Sequence, residues 1–191
     1  ANGSLNSASG RSLSIAHILD ADILRVISQA QADVQPVFEA IADSTMRLFG
    51  TWSAAVFRYD GELMRLAAAR GGLPGSIDAF TEGLRTPWRP GLDAPRDRAA
   101  VTRAVQHVID VDTDPFCGPQ FREQATLRGF RSSLAVPMLR GEDVVGVLAV
   151  TRTQVGGFTS AEIALLQTFA DQAVIAVENA RLLSELQAKN A

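Results

Sequence analysis

The spacing of apolar positions divides the chain into helical stretches, alternating stretches and a long irregular middle. From Ser14 onward Ile15, Ile18, Leu19, Ile23, Val26 and Ile27 recur every three or four residues, which predicts a helix with one apolar stripe. "ADVQPVFEAIADSTMRLFG" predicts a second helix. Asp33 suits its N-cap, Pro36 its first turn and Gly50 its end, and Val37, Ile41 and Leu48 share a face. The period then changes. "WSAAVFRYDGELMRLAAA" holds two β-type runs around Asp60-Gly61, a hairpin signal that pairs 52–59 with 62–69 antiparallel. Residues 70–94 contain Gly71, Gly72, Pro74, Gly75, Pro87, Pro90 and Gly91, dense punctuation that predicts a long connection around a short helix near 76–84. Long loops of this kind tend to be functional.

Further along, "DAPRDRAAVTRAV" reads as a helix capped by Asp93 with Pro95 in its first turn, and "QHVID" as a short strand. A helix near 119–128 follows. "RSSLAVPML" and "EDVVGVLAVTR" are strands joined by a tight turn at Arg140 to Asp143. Pro137 has no N–H for a ladder, so its strand is expected to be an edge or irregular there. Thr159 or Ser160 caps a final helix reaching 188, with Glu162 placed to bond back. Leu166, Ala170, Ala173, Val177 and Ala180 make one stripe on it, and Leu165, Phe169, Ala176 and Leu183 a neighbouring one. Two stripes predict two partners: the sheet, and a second helix from this chain or a dimer mate. Residues 1–13, small and polar, are expected to be a flexible leader, and 14–188 the domain. The missing initial methionine and the ending within a helical pattern read as a piece of a longer protein.

Composition narrows the function. With 47% hydrophobic and 20% charged residues the chain is of the globular class. A net charge of −3 leaves no basic excess for phosphates, so nucleic acid is not an expected partner. No window approaches the roughly 18 apolar residues of a membrane span, and a cytoplasmic location is expected. A single cysteine, Cys117, excludes an internal disulfide and a cysteine-cluster metal site.

The order of elements describes an α+β domain, an antiparallel sheet with helices on one face. Within it, "RGFRSSLAVPMLRGEDVVGVLAV" and "FTSAEIALLQTFADQAVIAVENARLLSEL" resemble the closing strands and final helix of the GAF domain family. "ILRVISQAQADVQPVFEAIADSTMRLFG" resembles the opening helices of GAF domains in bacterial sensor histidine kinases. The resemblance covers 20–187. It implies five or six antiparallel strands, a small-molecule pocket roofed by the middle loops, and long N- and C-terminal helices that pair between protomers and carry a signal onward. Leu166, Ala173, Val177 and Ala180 are the expected pairing and signalling positions.

Candidate chemistry centres on "DVDTDPFCG", 110–118. Asp110, Asp112 and Asp114 match the first oxygen positions of a calcium loop, but Pro115 stands where that loop needs glycine and Phe121 where it needs a bidentate acid. The aspartates are therefore expected to cap turns and the helix after Gly118, and no metal is expected. Bilin-binding GAF relatives attach their chromophore to a cysteine beside a histidine or within Asp-x-Cys-Phe. Cys117 sits between Phe116 and Gly118 and meets neither pattern, so no covalent chromophore is expected. Relatives that reduce free methionine sulfoxide need a second cysteine to resolve a sulfenic acid. The Asn-Lys-Phe-Asp-Glu signature of cyclic-nucleotide-binding GAF domains is absent, and the only lysine, Lys189, rules out a P-loop. The ordinary reading of Cys117 is a small apolar loop residue, and of His107 a satisfied core histidine. What remains is a pocket. Phe57, Tyr59, Phe80, Trp88, Phe116, Cys117, Phe121 and Phe130 supply its apolar lining, and His107, Arg128, Arg131 and Ser132 its polar contacts. The sequence thus reads as a non-catalytic sensory GAF domain of a two-component sensor histidine kinase, binding an unidentified small molecule. A ligand-free dimerisation and spacer module is the alternative, and a methionine sulfoxide reductase type of enzyme a further one.

Overall fold

A computed structural model of the protein describes Arg25 and residues 33–190. The expected leader and, apart from Arg25, the expected first helix lie outside the described residues. The elements are α1 (Gln35–Phe49), β1 (Ser53–Tyr59), β2 (Met64–Gly71), α2 (Ser76–Gly83), α3 (Pro95–Thr102), β3 (Gln106–Val108), α4 (Pro119–Arg128), β4 (Ser132–Arg140), β5 (Asp143–Arg152) and α5 (Ser160–Lys189). The five strands form one antiparallel sheet in the order β2-β1-β5-β4-β3. This is the expected α+β architecture with five antiparallel strands, but the helices cover both faces of the sheet rather than one, because alternate side chains of the strands are apolar on each side.

Two hairpins frame the sheet. In the second, Arg140 pairs with Asp143 across a turn whose Gly141 has φ of 61°, left-handed backbone that favours glycine. The first departs from the two-residue Asp60-Gly61 turn, because Tyr59 pairs with Met64 and the loop runs from Asp60 to Leu63. The Asp60 carboxylate caps that loop, accepting the N–H groups of Leu63 at 2.7 Å and Glu62 at 2.9 Å, and they hold its pKa down at about 2. The longer loop also lets Met64 be fully buried. β3 pairs only with Ser133 to Ala135, so Pro137 lies past its end, where a missing N–H leaves no ladder partner wanting.

Strand alternation sends successive side chains to opposite faces. On one face Ala54 and Val56 of β1, Leu134 and Val136 of β4, and Leu148 and Val150 of β5 pack against Ile41 of α1 and Leu166, Phe169 and Ala173 of α5. Full burial of each large apolar side chain is worth ~1.5–3 kcal/mol, which makes this face the main source of stability. Phe49 meets Phe169 edge to face at 5.9 Å between centroids. α5 opens with the expected capping box. Thr159 Oγ1 accepts the Glu162 N–H at 3.2 Å, and Glu162 Oε1 accepts the Thr159 N–H at 3.0 Å. Arg152 clamps Glu162 through both terminal guanidinium nitrogens, Nη1 and Nη2, which brings the Glu162 pKa down to about 2.

The other face carries Ala55, Phe57, Ala135 and Val147, roofed by Phe80 of α2 and by Ala99 and Ala100 of α3. Val108, Val111, Cys117, Phe121, Ala125 and Phe130 form a separate cluster that fastens α4 and the preceding loop beside the sheet.

Candidate ligand-binding site

α3 and α4 bring polar groups into the roof because each presents a narrow inward stripe. In α3 the buried residues include Arg96, Ala99 and Ala100, at three- and four-residue spacing, and the small alanines let the helix sit close to β4 and β5. In α4 the buried positions are Phe121, Ala125 and Arg128, again four and three apart. Between roof and sheet lies an enclosed cavity of about 20 Å³, room for a single water. Its floor is polar, formed by Ser53, Ser133 and Thr151 on β1, β4 and β5. Its walls are Phe57, Phe80, Phe121 and Phe130, and Arg96 and Arg128 reach into it.

The two arginines are the unusual feature. Arg128 is 7% exposed and Arg96 9%, low values for guanidinium groups, and only Arg96 has a carboxylate close by, Asp97 at 3.5 Å. Arg128 donates to Ser53 Oγ at 3.1 Å and stacks on Phe80, its guanidinium carbon 3.9 Å from the ring centroid. Arg96 lies between Phe57 and Trp88, 5.6 Å from each centroid, and donates to Gln124 Oε1 at 3.3 Å. The Nε of each is buried without a hydrogen-bond partner. Burial, and then the charge of Arg96, pushes the Arg128 pKa down to about 10. Burial also lowers that of Arg96, opposed by Asp97. With a pKa of about 10 Arg128 remains a cation at neutral pH, and the intrinsic basicity of a guanidinium keeps Arg96 charged as well.

Of the site residues expected from the sequence, the structure gathers Phe57, Phe121 and Phe130 at the cavity, with Arg128 and Phe80. Trp88 stands one shell back, edge to face with Phe57 at 6.0 Å, its Nε1 donating to Asp97 at 3.1 Å. Tyr59 lies at the far end of β1, its hydroxyl donating to the Gly61 carbonyl. Phe116 does not face the pocket: it is 66% exposed, under the Arg98 guanidinium. Cys117 is buried among apolar neighbours, and that burial, reinforced by Asp114, pushes its thiol pKa up to about 11. Such a thiol is a poor nucleophile. Arg131 also points away, paired with Asp110 at 3.0 Å and Asp112 at 3.4 Å. Asp110 and Asp114 cap turns through the N–H groups of Asp112 and Phe116, whereas Gly118 caps α4 without any side chain.

Ser132 and His107 fall on the opposite side of the sheet. Ser133, not Ser132, lines the cavity, because adjacent strand residues alternate faces. His107 Nε2 accepts the Phe158 N–H at 2.8 Å, a bond only the neutral ring makes, and burial lowers its pKa accordingly. Gly157 has φ of 69°, and a Cβ there would come within 2.1 Å of that nitrogen. The stripe expected to meet a dimer mate is used by the chain's own core: Leu166, Ala173 and Ala180 are buried and Val177 half-buried against it. Periodicity locates a stripe but not its partner. Arg96 was not among the expected residues; its one sequence signal is its spacing from Ala99 and Ala100.

Among the described residues no cluster of His, Cys, Asp and Glu is placed to hold a metal ion. No helix of the described residues is long and apolar enough to cross a membrane.

The model of the GAF domain family matches residues 33–177, and the chain belongs to that family, whose members are generally non-catalytic regulatory domains. Solved structures share the fold. A GAF domain/HD domain protein from Geobacter sulfurreducens is 24% identical, covering 80% of this chain and 96% of that one, with a TM-score of 0.66. A domain assigned to a two-component sensor histidine kinase of Sinorhizobium meliloti 1021 is 20% identical, over 83% of this chain and 99% of that one, at 0.61. Free methionine-R-sulfoxide reductase from Neisseria meningitidis, solved with its substrate, is 18% identical, over 88% of this chain and 93% of that one, at 0.63. No curated protein matches the chain.

Proposed function

We propose that this GAF domain is a non-catalytic sensor of a bacterial signal-transduction protein, a cytoplasmic module that binds a small molecule in the roofed cavity and relays its presence through α5. The observation that carries the reading is that cavity and relay share three strands. Ser53, Ser133 and Thr151 line the cavity floor, and their chain neighbours Ala54, Leu134 and Val150 belong to the core that holds α1 and α5. Any ligand that displaces β1, β4 or β5 therefore acts on the seat of α5. It shifts the packing by as much as its affinity differs between the two arrangements. The structural likeness to the Sinorhizobium domain supports a sensor histidine kinase as the parent.

Dimerisation through the last helix belongs to the same proposal. Ile175, Leu182 and Leu186 are exposed, and with Asn179 they follow at the four- and three-residue spacing of a two-stranded seam. The spacer reading is favoured by one observation, the small volume of the cavity. The reductase reading is disfavoured by the buried, high-pKa Cys117 and the lack of a second cysteine.

Native mass spectrometry of the purified protein across a concentration series tests this. The expected result is a dimer carrying an excess mass that is lost on denaturation. A dimer with no excess mass, unresponsive to any small molecule offered, would leave the spacer reading standing.

A further inference from the structure

We infer that the occupant of this cavity is a small organic carboxylate, its anionic end held between Arg96 and Arg128. This inference rests on the ligand-binding reading above.

The argument begins with the charges buried beneath the roof. They are Arg96, Arg128 and Asp97, two cations and one anion. Asp97 is already engaged. Its carboxylate accepts from Trp88 Nε1 at 3.1 Å and from the Gly91 N–H at 3.3 Å, and Arg96 Nε lies 3.5 Å away. Arg128 has no carboxylate among the described residues. It makes do with a serine hydroxyl and the faces of Phe80 and Phe130. A buried guanidinium with an unpaired Nε, beside a second cation, is costly to the ligand-free fold.

An oxyanion removes that cost. A guanidinium presents parallel N–H groups at the spacing of two carboxylate oxygens, and both orphaned Nε groups become available donors. The rings of Phe57, Phe80 and Phe130 would flank the apolar body. As it stands the cavity admits a single water, so an oxyanion enters only as Arg128 moves, and a planar carboxylate requires less displacement than a bulkier tetrahedral phosphate.

Access is also provided. A groove of about 390 Å³ between α2 and α4 shares Phe80 and Arg128 with the cavity, so that stacked pair is the partition between the two spaces. If Arg128 leaves Phe80 for the ligand, the two spaces join, and the groove takes the part of the molecule that the cavity does not.

The test is calorimetric, on the dialysed full chain at constant ionic strength, with formate, benzoate, benzamide and phenyl phosphate as probes. Benzoate or formate is expected to raise Tm by about 4 °C when well above its Kd, whereas benzamide does not. In R96M and R128M that rise should disappear, and the ligand-free Tm of R128M should match or exceed the parent's because an uncompensated buried cation is gone. Absence of a carboxylate-dependent rise in the parent, or its persistence in both variants, overturns the inference. So does a lower ligand-free Tm in both variants, which would make the arginines structural. A larger response to phenyl phosphate than to benzoate overturns the choice of carboxylate. Equal stabilisation by benzamide and benzoate would sink the anion inference alone and leave the cavity as a small-molecule site.

Discussion

The two faces of the one sheet are built on different terms. Beneath α1 and α5 the closely packed side chains are mainly Ala, Val, Leu, Ile, Met and Phe, with Thr45 and Ser132 as buried polar exceptions. Beneath α2, α3 and α4 the same strands meet two buried arginines, a buried aspartate, a polar floor and a small cavity. Neighbouring residues are thus separated by role: Leu134 faces the dry core while Ser133 faces the cavity. Stability is concentrated on one side, which allows the other to carry unfavourable burial. A sensor needs both, because a ligand that merely filled an already optimal core would find little free energy with which to move anything.

The sharpest way to break the contrast is to damage the dry face. Leu166→Ala empties a fully buried site on α5 and is expected to cost about 3 kcal/mol. Urea denaturation measures it, and a loss near zero would mean that α5 is not seated as described. A smaller effect concerns pH. His107 must be neutral to accept the Phe158 N–H, and its folded pKa lies below the unfolded value near 6.5. Its contribution is therefore fully present above pH 6.5 and is lost as pH falls below it, while Asp60 and Glu162, whose folded pKa values are about 2, keep their full contribution until pH drops below about 4.5, where the unfolded chain begins to protonate them. The urea midpoint should fall between pH 7.5 and 5.5, and H107Q, which keeps an acceptor but does not titrate, should flatten that fall. An equal slope in H107Q would assign the effect elsewhere. The smallest expected effect is that of Phe116→Ala. Its exposed ring should cost less than about 0.5 kcal/mol, and neither should its loss weaken ligand binding. A large change in either would put Phe116 at the cavity after all.

Local patterns carried most of the fold. The apolar stripe of α5, the Thr159–Glu162 capping box, the Gly141 turn and the short β3 are each read from a few neighbouring residues, because each depends on interactions a few positions apart. The first hairpin was legible only in outline. Asp60-Gly61 marks a turn, but its length was decided by the Asp60 carboxylate and by the burial of Met64.

The site was less legible still. An aromatic in the middle segment was a fair sign of burial for Phe80, Phe121 and Phe130, and misleading for Phe116, whose loop is held outward by turns at Asp110 and Asp114. In sequence Arg96, Arg98, Arg128 and Arg131 look alike. The structure divides them, turning Arg96 and Arg128 inward and Arg131 toward Asp110 and Asp112. By itself, then, the amino-acid sequence determined the elements, their order and the family, since these follow from periodicity and short-range bonding. Only the tertiary structure decided which stripe of α5 meets the sheet, which of Ser132 and Ser133 faces the cavity, and which two arginines share a buried space. Those outcomes depend on contacts between residues distant in the chain, such as Arg128 with Ser53, and no local pattern encodes them.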